Sequence, residues 1–121
     1  MPRVIHFEIP VDNVERALKF YSDVFGWNIQ KWGPQDYWLI ETGEKDQPGI
    51  DGAITKRTEP TTSTVNTIDV PSLDEYLTRI TKSGGKVLTS RSTISGVGYF
   101  AYCQDTEGNT FGVLQSDESA K

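Results

Sequence analysis

The chain has 121 residues, of which 36% are hydrophobic and 24% charged, with a formal net charge of −5. That length fits one domain, or two small halves sharing a core, and buries about two-thirds of the unfolded surface. The acidic balance excludes general phosphate-backbone binding, which needs clustered Lys and Arg; Lys56-Arg57 are the only adjacent basic residues. A single cysteine, Cys103, excludes an intrachain disulfide and fits a reducing compartment. No run of about 18 apolar residues suggests a membrane span. Arg3, His6, Glu8 and Asp12 interrupt any apolar leader, so a cytoplasmic location is expected, with neither nucleic acid nor membrane as partner.

From the N-terminus, Val4 to Val11 reads as a strand. Ile5, Phe7, Ile9 and Val11 share the face expected to pack under a helix, while Val4, His6 and Glu8 share the other. A helix is predicted over Asn13 to Phe25. Asp12 is its expected cap, Glu15 follows three residues later, and Val14, Ala17, Leu18, Tyr21 and Phe25 form an apolar stripe. Gly26 supplies the left-handed stop. Trp27 to Trp32, Tyr37 to Glu41 and Ile50 to Thr55 read as strands, and Glu59 to Ser63 as the link between halves.

The pattern then repeats. A strand near Ser63–Val70 leads into a helix capped by Ser72, with Leu73, Tyr76, Leu77 and Ile80 as its stripe and Gly84-Gly85 as its end. Burying a large stripe residue is worth roughly 1.5–3 kcal/mol. Strands near Lys86–Ser90, Gly98–Cys103 and Thr110–Gln115 follow. Asp105-Thr106-Glu107-Gly108-Asn109 forms a tight hairpin connection, and Ser116 to Lys121 a mobile polar tail. The doubled β-α-β-β-β pattern predicts an α+β protein in a single domain made of pseudo-repeat halves 3–57 and 62–116. It also points to a cavity between the halves as the working surface. Related halves of this kind often associate by two-fold symmetry, so a homodimer is expected.

His6-Phe7-Glu8-Ile9-Pro10-Val11-Asp12, Ala17-Leu18-Lys19-Phe20-Tyr21 and Phe25-Gly26-Trp27, together with the hairpin from Asp105 to Val113, resemble the vicinal oxygen chelate superfamily. That superfamily includes glyoxalase I, the fosfomycin- and bleomycin-resistance proteins and the extradiol dioxygenases. The resemblance covers nearly the whole chain. It implies paired βαβββ modules forming an open, cup-shaped mixed sheet. In metal-using members it also implies one ligand from each of four strands. Those positions fall on His6, Gly52, Val65 and Gly112, and three of them carry no coordinating side chain. One imidazole cannot hold a divalent ion that needs three or more N or O ligands, so no metal and no other cofactor is expected.

His6 is the only histidine and the candidate general base or ligand-binding group, with Glu8 on the same face to orient it. Thr67 and Asp69, at matching parity on the second half's first strand, are candidate ligand contacts. A water-facing sheet would show the same alternation. Trp38, Tyr37, Tyr99 and Tyr102 are candidate pocket walls, whereas Trp27 and Phe100 are assigned to the core or a dimer contact. Cys103 has no basic partner or helix N-terminus to activate it and is read as a buried strand residue. Gly96-x-Gly98 is not a phosphate loop, because no helix start follows.

The leading expectation is a metal-independent protein that binds a small organic molecule, by sequestration or with mild acid–base chemistry at His6 and Glu8. One rival is a metal-dependent lyase or dioxygenase whose displaced ligands, Glu8, Glu41 and Asp69, join His6. Another is an interaction module that binds no ligand.

Overall fold

In the computed structural model of the chain, which describes residues 2–121, the elements run β1 Arg3–Val11, α1 Val14–Phe25, β2 Asn28–Lys31, β3 Tyr37–Glu41, β4 Gly52–Lys56, β5 Val65–Asp69, α2 Leu73–Lys82, β6 Lys86–Val87, β7 Ser92–Ile94, β8 Gly98–Gln104 and β9 Thr110–Ser116. His6–Thr64 is one compact unit. Val65–Lys121, with the opening residues of β1 up to Ile5, is the other.

Within the first unit the strand order is β2-β3-β4-β1. β1 lies parallel to β4, and the other neighbours are antiparallel. Within the second the order is β5-β9-β8-β6, again with a parallel outer pair, β5 and β9, and antiparallel neighbours. The doubling read from the sequence is therefore present in the hydrogen-bond topology, and the fold is α+β. One strand was not expected. Ser92–Ile94 pairs with β8 through Ser92↔Phe100 and Ile94↔Gly98. Three residues are too short a run to show the period-two pattern that marks a strand.

Each helix covers one face of its own unit. Beneath α1, Val11, Ile40 and Ile54 are buried, and Phe7, Ile9, Val14, Ala17, Leu18, Tyr21, Trp27, Ile29 and Trp38 pack against them. Phe7, Ile9 and Val11 of the expected β1 face and most of the α1 stripe are thus core, whereas Ile5 is 38% exposed. Within the α1 stripe Phe25 is the exception. It is 57% exposed and reaches only the aromatic stack of Tyr21 and Trp27 at the helix end. The core under α2 joins Val70, Leu73, Ala101, Cys103 and Val113 to Tyr76, Leu77 and Ile80, as the second stripe predicts.

Two local expectations are corrected. The α1 cap is Asn13, not Asp12: Asn13 is extended and its side chain accepts from Arg16 N–H at 3.0 Å. Asp12 instead accepts from Arg57 Nε at 3.0 Å, a partner 45 residues away that no helix-start rule can show. The tail is not free. Asp117 N–H donates to Val97 O and Gly96 N–H to Ala120 O, and Ala120 is buried. A polar composition hid a short docked turn. The other boundaries stand as read: Ser72 accepts from Glu75 N–H, and Gly26 takes a φ of +70° while donating to Ser22 O. The Asp105 carboxylate accepts from the backbone N–H of Glu107 and Asn109 and from the Asn109 side chain. Those donors, Asn109 first, hold its pKa below the usual 3.8.

Candidate functional site

In β1 the alternation that buries Phe7, Ile9 and Val11 under α1 turns His6, Glu8 and Pro10 to the opposite face of the first unit. Register decides what joins them. On β3, Ile40 and Trp38 take the core side, so Tyr37 and Leu39 take the His6 side. On β4, Ile54 is core, so Ala53 and Thr55 stand beside Leu39 and Tyr37. Tyr37 thereby reaches His6 across 31 residues of chain, with its hydroxyl oxygen 2.8 Å from His6 Nε2. The same hydroxyl is hydrogen-bonded to the Glu8 side chain, and Glu8 is only 5% exposed.

With Glu8 ionised its oxygens only accept, so the phenol proton would go to Glu8 and His6 Nε2–H would donate to the phenol oxygen. His6 Nδ1 then keeps its lone pair. Among the described residues no direct contact between Glu8 and the imidazole is seen; Tyr37 stands between them. Burial pulls the His6 pKa below its ordinary 6.5, and the Asp51 charge partly offsets this. Burial first, then the Glu8 charge and hydrogen bond, push the Tyr37 phenol well above its ordinary 10. The three groups therefore form a line from imidazole to phenol to carboxyl group. Trp32 leans edge-on against Tyr37 with ring centres 5.7 Å apart.

The second unit has a different surface at the equivalent place. Thr67 is 3% exposed and pairs with Gly112. A Cβ at 112 would lie 2.7 Å from two Phe100 ring carbons and 2.8 Å from Thr67 Oγ1. Phe100, assigned to the core or a dimer contact from the sequence, fills that space, with Tyr102 edge-on to it at 4.7 Å. Asp69 Oδ1 accepts from the Ser116 hydroxyl at 3.2 Å. Thr67 and Asp69 thus share the parity foreseen for them, and Tyr102, paired with Gly112, falls on the same face.

Two pocket candidates are not on these faces. Trp38 packs in the core cluster under α1, where Lys31 lies over its ring. Tyr99 packs in the cluster under α2, with Arg91 over its ring. Both aromatics sit one residue from a neighbour of the other parity, and sequence alone did not say which of each pair faces the helix. Cys103 is fully buried, and burial pushes its thiol up to about 11, which suits the structural reading.

These donors do not match a metal of the kind the resemblance implies. Gly112 and Val65 offer no side-chain donor, and the space at 112 holds a phenyl ring. Gly52 is corrected as well. It pairs with Phe7 and faces the Phe7 ring, on the helix side. Matching glycine to glycine along the chain missed by one residue, which in a strand reverses the face. The adjacent Asp51 falls at the level of His6, but its Oδ1 already accepts from Thr42 N–H at 2.9 Å. Among the described residues no three of His, Cys, Asp and Glu converge on one point. The residues present do not fit a bound divalent ion.

Paired βαβββ units with a polar strand face define a small α+β protein of one architectural class, and comparison places the chain within it. The Bleomycin resistance protein-like N-terminal family matches residues 3–43. A Glyoxylase-like domain-containing protein of Didymella fabae is 36% identical over 112 residues, covering 88% of each chain. The chain belongs to the glyoxalase/bleomycin resistance/dioxygenase superfamily. Among solved structures, a member of that superfamily from Vibrio splendidus shares the fold at a TM-score of 0.67 and 16% identity, over 97% of this chain and 100% of that one. A Streptomyces coelicolor methylmalonyl-CoA epimerase variant in complex with 2-nitronate-propionyl-CoA does so at 0.67 and 12%, over 98% and 97%. Among the described residues no helix is long and apolar enough to cross a membrane.

Proposed function

We propose that this chain is a metal-independent, cytoplasmic small-molecule-binding protein whose ligand meets the His6 face of the first unit. The observation that carries the reading is the part-buried line from His6 through Tyr37 to Glu8. Burying three polar side chains is costly unless they satisfy one another, and here they do so while leaving one imidazole nitrogen as an acceptor. His6 Nδ1 accepts a proton or a hydrogen bond from the ligand. Tyr37 and Glu8 hold the ring and stabilise the charge it would gain. Thr67, Asp69 and Tyr102 are assigned to ligand contacts on the second unit's own face, and the active species is assigned as a homodimer, which sedimentation would test. The epimerase neighbour's structure carries a CoA compound, and this supports a small organic ligand here without naming it.

A melting-temperature screen across a metabolite panel, run with and without chelator, tests the reading. A specific ligand stabilises by about 2.7 kcal/mol at 100-fold excess over Kd. That shift should survive chelator and weaken at least tenfold in His6→Ala. Absence of a shift with every compound leaves the ligand-free module ahead. A shift abolished by chelator moves the assignment to a metal-dependent lyase or dioxygenase.

A further inference from the structure

Among the described residues, one buried side-chain polar atom has no partner, and it stands on the candidate face: Thr55 Oγ1. Thr55 lies on β4, opposite Tyr37 of β3 and level with Pro10 of β1. The alternation that sends Ile54 under α1 sends Thr55 to the side of His6, Glu8 and Tyr37. Neither neighbour satisfies it. Pro10 has no backbone N–H, and the Tyr37 hydroxyl is engaged by His6 and Glu8. A buried hydroxyl without a partner keeps its full desolvation penalty, and a valine would fill the same volume without one. In the free protein this hydroxyl works against stability, and a polar atom arriving from outside would reverse that.

We infer that Thr55 is a ligand-recognition residue, and that it takes a neutral hydroxyl or carboxamide group of the bound molecule. A threonine hydroxyl both donates and accepts, so it matches a group that does the same. The residues of β1, β3 and β4 on this face within the first unit include Glu8 and Glu41 but no Lys or Arg, and Arg57, two residues beyond Thr55, is paired with Asp12. A carboxylate or phosphate placed there would meet negative charge with no compensation. The inference rests on the proposed function and adds to it the second anchor and the ligand's chemical class.

The test is a titration of isotope-labelled protein with benzamide, benzyl alcohol and benzoate, followed by NMR. The neutral probes should shift the Thr55 and Tyr37 signals and benzoate should not. Thr55→Val should weaken the neutral probes roughly 5–20-fold, the loss of one hydrogen bond, while Thr55→Ser stays close to wild type. Free Thr55→Val should resist urea at least as well as wild type. Equal binding of the neutral probes to wild type and Thr55→Val overturns the inference, as does preferred binding of benzoate. A Thr55→Val protein that is less stable in urea yet binds the probes unchanged assigns the hydroxyl to a structural water and overturns it too. If no probe shifts any residue of the His6 face, the proposed function falls with it. If His6 and Tyr37 shift equally in wild type and Thr55→Val, this inference alone falls.

Discussion

The two units share a topology and differ in how they use it. In the second, α2 is anchored by Leu73, which is 0% exposed, whereas no residue of α1 is fully buried. The faces away from the helices differ more. The first unit carries a polar line of imidazole, phenol and carboxylate. The second places a phenyl ring over a glycine, with a tyrosine edge-on to it. The same backbone ladder therefore supports a polar face and a packed one, because strand pairing fixes only where side chains project. What projects is free to diverge.

The comparison can be strained at several points. The largest effect should come from the helix anchors. Leu73→Ala should cost about 3 kcal/mol, within the range for buried leucines, and Leu18→Ala in the part-buried α1 stripe about half that. Urea unfolding of the two variants measures the difference, and equal losses would show that the units are anchored alike.

A smaller but more pointed effect should follow Gly112→Glu, which restores a carboxylate where the family resemblance implies one. The new side chain meets Phe100 and Thr67, and overpacking of this kind costs about 1–3 kcal/mol. Adding Phe100→Ala should recover part of that loss. If Gly112→Glu alone is as stable as wild type and gains a tightly bound divalent ion, the contrast drawn between the two faces is wrong.

The smallest effect is the pH dependence of His6. Its pKa is lower in the folded chain than in the unfolded one, so below about pH 6.5 the unfolded chain binds the extra proton. Stability should therefore fall as pH drops through that value and level off below the folded pKa. In His6→Gln this portion of the profile should flatten. Titration of the His6 ring by NMR checks the direction, and a midpoint above 6.5 would contradict it. Asp105 acts in a separate window. Its depressed pKa makes its contribution present above about pH 4 and lost as pH falls further.

Much of the fold was legible along the chain. Helix stripes, the Ser72 cap, the Gly26 stop and the Asp105–Asn109 hairpin are local patterns, set by periods of 3.6 and 2 and by turn chemistry that needs no distant partner. The candidate site was legible in part. His6 and Glu8 share a strand face by parity alone, and Thr67 and Asp69 likewise. The errors have a common source. Trp38 and Tyr99 were named as pocket walls and Gly52 as a ligand position, and which way a strand residue faces depends on the register of its neighbours, where one residue reverses the face. The same limit hid Asp51 at the level of His6.

The amino-acid sequence by itself determined the doubled βαβββ order, the two helix stripes and the absence of coordinating side chains at Val65 and Gly112, since each depends on residue type and local spacing. Only the tertiary structure decided that Tyr37 joins His6 to Glu8, that Phe100 fills the space at Gly112 and that Thr55 is left without a partner. Those contacts join separate strands, and the register that makes them is set where the strands pair, not within any one of them.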